Sequence, residues 1–221
     1  MRRAFVVGTT VVGFVACFPI TFGVETSTTA TMSVKLGDLS GTCSGVVTVE
    51  DDNSKATVTK TASGALCNIT VDFEATAIDM GEVRAKVEAK IREKDHDPKD
   101  VAVTIKAPTD LAFHDIQVVG VTIPSTAWAI NMALEGTSVF DAKGDSLVTL
   151  VESGQSVTLS DAQLTVVQNA YKDSAEVTVK GKVVLSSVPL DYIQGLQPGT
   201  NANVDFKVTA DVTASGKTDA I

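Results

Sequence analysis

Ser146, His96 and His114 are residue types that nucleophilic chemistry uses. A serine hydroxyl attacks an acyl carbon only when a base takes its proton and donors receive the developing oxyanion, so both must converge on it. Ser146 stands in Gly144-Asp145-Ser146-Leu147, followed by the run LVTLVESGQSVTL. Both histidines precede it in the chain, and no Asp-x-x-His follows it. Gly and Asp are also the residues that a tight backbone reversal selects. The same four letters therefore spell a β-turn.

The tetrapeptide resembles the signature of the GDSL lipases and esterases, in which the serine is the nucleophile. That resemblance implies a motif near the chain start, a three-layer α/β/α fold, and a catalytic histidine from a D-x-x-H block near the C-terminus. Here the motif lies two-thirds along the chain, within a pattern of alternating polarity, and the resemblance covers four residues of 221. The turn is the stronger reading, so no catalytic residue and no enzymatic activity is assigned. A GDSL-like esterase using Ser146 is the remote alternative.

Other reactive groups divide the same way. Cys43 and Cys67 form a pair available for a disulfide in an exported protein. Closing the intervening loop of about 25 residues stabilises by roughly 3–3.5 kcal/mol on the chain-entropy model. Cys67 shares a face with Ile69, Val71 and Phe73, and Cys43 with Val47 and Val49, so both sulfurs point toward a core. Strands in one sheet lie about 4.8 Å apart, so two cysteines flanking a third strand meet only past its end or across a sandwich. Asp95 to Asp100 (DHDPKD) offers carboxylates to a hard cation but lacks the ligand spacing of a calcium loop. It reads as a solvated turn stopped by Pro98. Glu50, Asp51 and Asp52 make a second acidic tip of the same kind. The two separated histidines, both expected to be exposed, make no transition-metal site. No metal and no cofactor is expected. Arg84, Lys86, Lys90, Arg92 and Lys94 form a basic island that reads as a solvated helix face, with an interaction patch for lipid head groups or an acidic partner as the alternative. Asn68-Ile69-Thr70 is an N-glycosylation sequon, meaningful only in a eukaryotic secretory pathway.

Charge and composition set the class. The chain carries 18 basic and 27 acidic residues, net −9, and all the acids follow position 24 while Arg2 and Arg3 precede it. A cleaved form is more acidic still, which argues against nucleic acid as a partner. One Trp and two Tyr supply no aromatic platform for bases or sugars, and no small-molecule substrate is identified. The start, MRR followed by the uncharged run Ala4 to Ala16, has the form of a secretory signal peptide. Phe14-Val15-Ala16-Cys17 resembles the lipobox of bacterial lipoproteins, with Phe14 where Leu is usual. That resemblance implies lipidation of Cys17 as the mature N-terminus. Cleavage after Gly23 and an uncleaved anchor from Ala4 to Val24 are the alternatives.

The elements that must position these groups are mostly strands. Val204, Phe206, Val208, Ala210 and Val212 alternate with Asp205, Lys207, Thr209, Asp211 and Thr213. The same alternation runs through Trp128 to Leu134, Val101 to Ile105 and Val177 to Leu185, as half-buried antiparallel strands require. Turn residues separate the strands at intervals of about ten, the spacing of a β-sandwich. Residues 80–94 alternate too, but their Ala, Glu, Lys and Arg content and the Asp79/Glu82 capping box favour a helix. Met80, Val83, Val87 and Ile91 make its apolar stripe, with Arg84–Glu88 and Glu88–Arg92 at i,i+4. Ser160 with Gln163 starts a second short helix, 160–171.

These readings predict a mainly β protein, an antiparallel β-sandwich with one or two short helices. Residues 1–16 would be the signal peptide, 17–33 (with VETSTTATMS) a Thr/Ser-rich tether, and 34–221 a single sandwich domain, with 124–126 the boundary if there are two. The expected function is a non-catalytic cell-envelope lipoprotein or secreted protein with a structural or protein-interaction role. It would meet the membrane through its lipid anchor, and an envelope protein as partner. The alternative is a carrier holding a hydrophobic ligand between the sheets.

Overall fold

The computed structural model describes residues 20–124, 127–146, 153–199 and 201–218. The N-terminal leader with Cys17, and Ser125 and Thr126 of the alternative boundary, lie outside the described residues. Two antiparallel sheets stack face to face, as the alternation predicts. The first holds β1 (Thr21–Asp38), β5 (Val101–Val119), β8 (Gln155–Thr158) and β10 (Asn201–Thr218), in the order β1-β10-β5-β8. The second holds β2 (Ser44–Glu50), β3 (Ser54–Ser63), β4 (Leu66–Asp79), β6 (Trp128–Leu134), β7 (Thr137–Lys143) and β9 (Glu176–Pro189), in the order β2-β3-β4-β9-β6-β7. Inward side chains from both sheets form one core. Phe140 of β7 bridges the layers, meeting Phe113 of β5 edge-on at 5.8 Å and Phe206 of β10 at 5.7 Å between ring centres.

The tether is corrected. Residues 21–33 belong to an 18-residue strand that pairs with β10 along its whole length. Its even-numbered side chains turn inward: Val24, Thr28, Met32, Val34 and Leu36 are buried, with Phe22, Thr26 and Ala30 half-buried between them. Threonine hides the period, because its branched Cβ packs on a pleated surface much as valine does while counting as polar. The strand's start is held by Phe22, whose ring lies flat on His96 at 5.1 Å and against Gly216. A Cβ at Gly216 would stand 2.6 Å from that ring.

Among the described residues, three helices with complete bounds cap the sheets. Helix α1 (Met80–Arg92) starts where expected, with Asp79 Oδ1 accepting from the Gly81 N–H at 2.8 Å, and buries the stripe Met80, Val83, Val87 and Ile91. Glu82 does not close the capping box; it pairs with Lys86 at 2.8 Å. Helix α2 (Asp161–Asp173) has its box, the Ser160 N–H donating to Gln163 Oε1 at 2.9 Å. The buried Gln163 amide also donates to the Leu134 carbonyl at 3.2 Å, fixing the helix to the end of β6. Helix α3 (Leu190–Gly195) follows Pro189 and is too short to show a period. The run LVTLVESGQSVTL also reads from sequence as a hairpin turning at Ser153-Gly154-Gln155, and the first arm of that hairpin lies outside the described residues. Residues 147–152 lie outside the described part, and β8 pairs with β5.

Candidate functional site

Ser146 sits just past the end of β7, where Gly144 turns the chain and Asp145 and Ser146 begin a helical turn, and its hydroxyl is committed to Lys143. Its Oγ donates to the Lys143 carbonyl at 2.7 Å and accepts from the Lys143 N–H at 3.1 Å. Gly144 between them adopts φ +53°, the left-handed conformation that explains a glycine there. Neither histidine is turned to this hydroxyl: His96 stacks on Phe22, and His114 bonds within the first sheet. Both rings are half-buried rather than exposed.

His114 belongs to a group that sequence spacing does not reveal. Its Nε2 lies 2.9 Å from Thr209 Oγ1, which in turn meets Thr29 Oγ1 at 2.8 Å. Its Nδ1 faces Asp115 Oδ2 at 3.6 Å, and Lys207 Nζ meets the same carboxylate at 2.8 Å. The hydrogen bond and charge of Lys207 hold the Asp115 carboxyl below its ordinary pKa. Carboxylate, imidazole and hydroxyl thus follow one another as in a catalytic triad, but 3.6 Å is beyond hydrogen-bond reach. With Asp115 and Lys207 half-exposed on the outer sheet face, water screens the group. Its evident work is stitching β1, β10 and β5 together across their polar face. Those strands are distant in sequence, so only their register brings the three positions together.

Four of the five cations lie on α1 and Lys94 follows just past its end, and each has an internal partner. Glu88 takes Arg84 at 3.0 Å and Arg92 at 3.3 Å. Arg84 also donates to Ser174 Oγ at 3.0 Å, reaching the C-terminal end of α2. Lys86 pairs with Glu82 and donates to the Ser27 carbonyl of β1 at 2.9 Å. Lys90 pairs with Glu93 at 2.9 Å, and Lys94 lies over the Phe22 ring, 5.8 Å from its centre. The Lys86 hydrogen bond and charge hold the Glu82 carboxyl below its ordinary pKa. Beneath the helix, burial pushes the Tyr171 hydroxyl up to about 12. This face fastens α1 to its neighbours, and its pairs are exposed enough to contribute little each.

The acidic tips behave as turns. Asp97 Oδ1 accepts from the Lys99 N–H at 3.0 Å and caps a short 3-10 turn, Pro98–Asp100. Asp51 Oδ1 accepts from Asn53 and Ser54; burial opposes its charge, but those donors outweigh it and lower the pKa. Among the described residues no three His, Cys, Asp or Glu side chains gather to hold a metal ion. The sequon's Asn68 side chain accepts from the Ser187 N–H at 2.9 Å.

Cys43 and Cys67 are joined, with Cα atoms 5.7 Å apart. Cys67 on β4 lies opposite Ala62, next to the last residue of β3, and Cys43 stands just before the first residue of β2. Leu39 and both cysteines are buried there. Asp38, at the same end, is held below its ordinary pKa by the Ser40 hydroxyl and the Gly199 N–H. Beyond this end lies an apolar cleft of about 530 Å³, lined by Ile123, Pro124, Ala127, Val188, Pro189 and Tyr192.

Comparison with protein-family models, with curated proteins and with solved structures finds no match to this chain.

Proposed function

We propose that this protein is a non-catalytic lipoprotein of a bacterial cell envelope, serving a structural or protein-interaction role. The observation that carries the reading is Phe14-Val15-Ala16-Cys17 at the end of an uncharged run behind Arg2-Arg3. Two features support it. The Cys43–Cys67 bond suits an oxidising compartment. Strand β1 begins at Thr21, so processing at Cys17 leaves the strand whole, whereas cleavage after Gly23 removes residues paired with Lys217, Gly216 and Ser215. The commitment of the Ser146 hydroxyl to Lys143 favours the turn over the esterase.

Fractionation of the producing cell tests the anchor. The wild-type chain should sediment with membranes and be extracted by detergent, and Cys17→Ser should lose the lipid. A Cys17→Ser chain processed and fractionated as wild type would contradict the lipoprotein reading. The apolar cleft beside Tyr192 favours a second reading, a carrier for a hydrophobic ligand, with the site outside the packed interior. Stoichiometric lipid retained in native mass spectrometry would place that reading first.

A further inference from the structure

Buried aromatic side chains with a polar tip usually bring that tip to a partner. Trp128 Nε1–H donates to the Ile123 carbonyl at 3.2 Å, and Tyr192 Oη accepts from the Thr122 N–H at 2.8 Å. Tyr171 on α2 departs from this. It is only 6% exposed, yet its hydroxyl has no hydrogen-bond partner among the described residues. A phenylalanine would fill the same space without leaving a polar group unpaired.

Tyr171 lines a cleft of about 340 Å³ between α1, the end of α2 and the start of β5. Ile91, Pro98, Val101 and Val103 give the cleft apolar walls. Arg84, Glu88 and Lys172 supply its charges. Arg84 commits Nε to Glu88 and Nη1 to Ser174 Oγ and the Lys172 carbonyl, which leaves both N–H groups of Nη2 without a partner. The Lys172 ammonium has none among the described residues either. Glu88 is already engaged, one oxygen by Arg84 and the other by Arg92. Burial pushes the Tyr171 pKa up to about 12, so the phenol keeps its proton to donate. The side-chain groups left over are donors, beside an apolar wall.

We propose that this cleft binds a small organic carboxylate, its acid group on the Tyr171 hydroxyl and Arg84 Nη2 and its apolar body against Pro98, Val101 and Val103. Hydrogen bonding and shape together select that class. A neutral apolar molecule would leave the phenol and guanidinium donors unpaired, which costs binding. A bare oxyanion would leave the walls wet. The cleft's volume stands at the small end of ligand sites, so the body is compact, about the size of one substituted ring. Lys172, unpaired at the border of the cleft, adds long-range attraction for the anion. The site stands apart from the lipid anchor and from the cleft beside Tyr192, and needs neither.

Titration of the full chain in detergent with sodium benzoate, followed by amide NMR shifts, tests this. Benzoate to about 20 mM should shift the amides of Val101, Val103, Tyr171 and Lys172 saturably, with the roughly millimolar affinity that a ligand of this size supports. Tyr171→Phe keeps the ring and removes only the hydroxyl. It should weaken benzoate binding at least about tenfold, the worth of a hydrogen bond to a charged group. Two further probes read the wild type without substitution: benzyl alcohol has the ring without the acid, and inorganic phosphate has the charge without the ring. Each should bind at least about tenfold more weakly than benzoate. Absence of saturable shifts with benzoate overturns the proposal. So do shifts centred elsewhere, binding unchanged in Tyr171→Phe, or either comparison probe binding as tightly as benzoate.

Discussion

At the scale of single residues, the bond between Cys43 and Cys67 restrains the unfolded chain most. It spans 24 positions and ties the segment before β2 to β4, two strands away. Cys43→Ser should lower the unfolding free energy by about 3 kcal/mol, and reducing agent should lower the wild type equally. Denaturant titrations of the two proteins, with and without reductant, check this; a wild-type midpoint indifferent to reduction would contradict it. The pairing was legible from the cysteine count and the face of Cys67, but not from the face of Cys43: Val47, expected beside it in the core, is exposed, and Cys43 precedes β2 and is buried through the loop instead. The chain reversal at Gly144 was legible too, whereas the helical turn that Asp145 and Ser146 begin was not. The His114–Thr209–Thr29 contact was not, since nothing local encodes the register of three strands so far apart in sequence. The cations of α1 were legible as a cluster, but Ser27, Ser174 and Phe22, which receive three of them, arrive only through packing.

At the scale of elements, strands with Val, Ile and Phe on one face announced themselves, and β1 did not. Its inward face mixes Val24, Met32, Val34 and Leu36 with Thr26, Thr28 and Ala30, so the apolar period is interrupted where the chain looks like a linker. Met32 is 1% exposed in that face. Met32→Ala should therefore cost about 2–4 kcal/mol of stability by cavity formation. Thermal or denaturant unfolding measures this, and a loss near zero would mean that the segment is a tether after all. Helix α1 declared itself by its Asp79 cap and charge pairs despite a competing two-residue period. Helix α3 spans six residues, shorter than any pattern that could reveal it. Strand β8 reads as a strand from its alternation, but nothing local reveals its pairing partner in the first sheet. Its partner is β5, some forty residues upstream.

At the scale of the whole molecule, two sheets and their helix caps leave the start of β1, the end of β10 and helix α1 at one end. The disulfide and the cleft beside Tyr192 lie at the other. Three residues separate Cys17 from Thr21, four backbone steps that reach about 14 Å when fully extended. On an acylated Cys17 the sandwich therefore rests close to the bilayer, with the α1 end toward lipid and the cleft facing away. Intact-mass analysis of the protein purified from its own membranes tests the central claim most directly. The account predicts a chain beginning at Cys17, heavier by acyl groups on that residue and lighter by the two hydrogens of the Cys43–Cys67 bond. An unmodified chain beginning at Val24, or one retaining Met1 to Ala16, would contradict it.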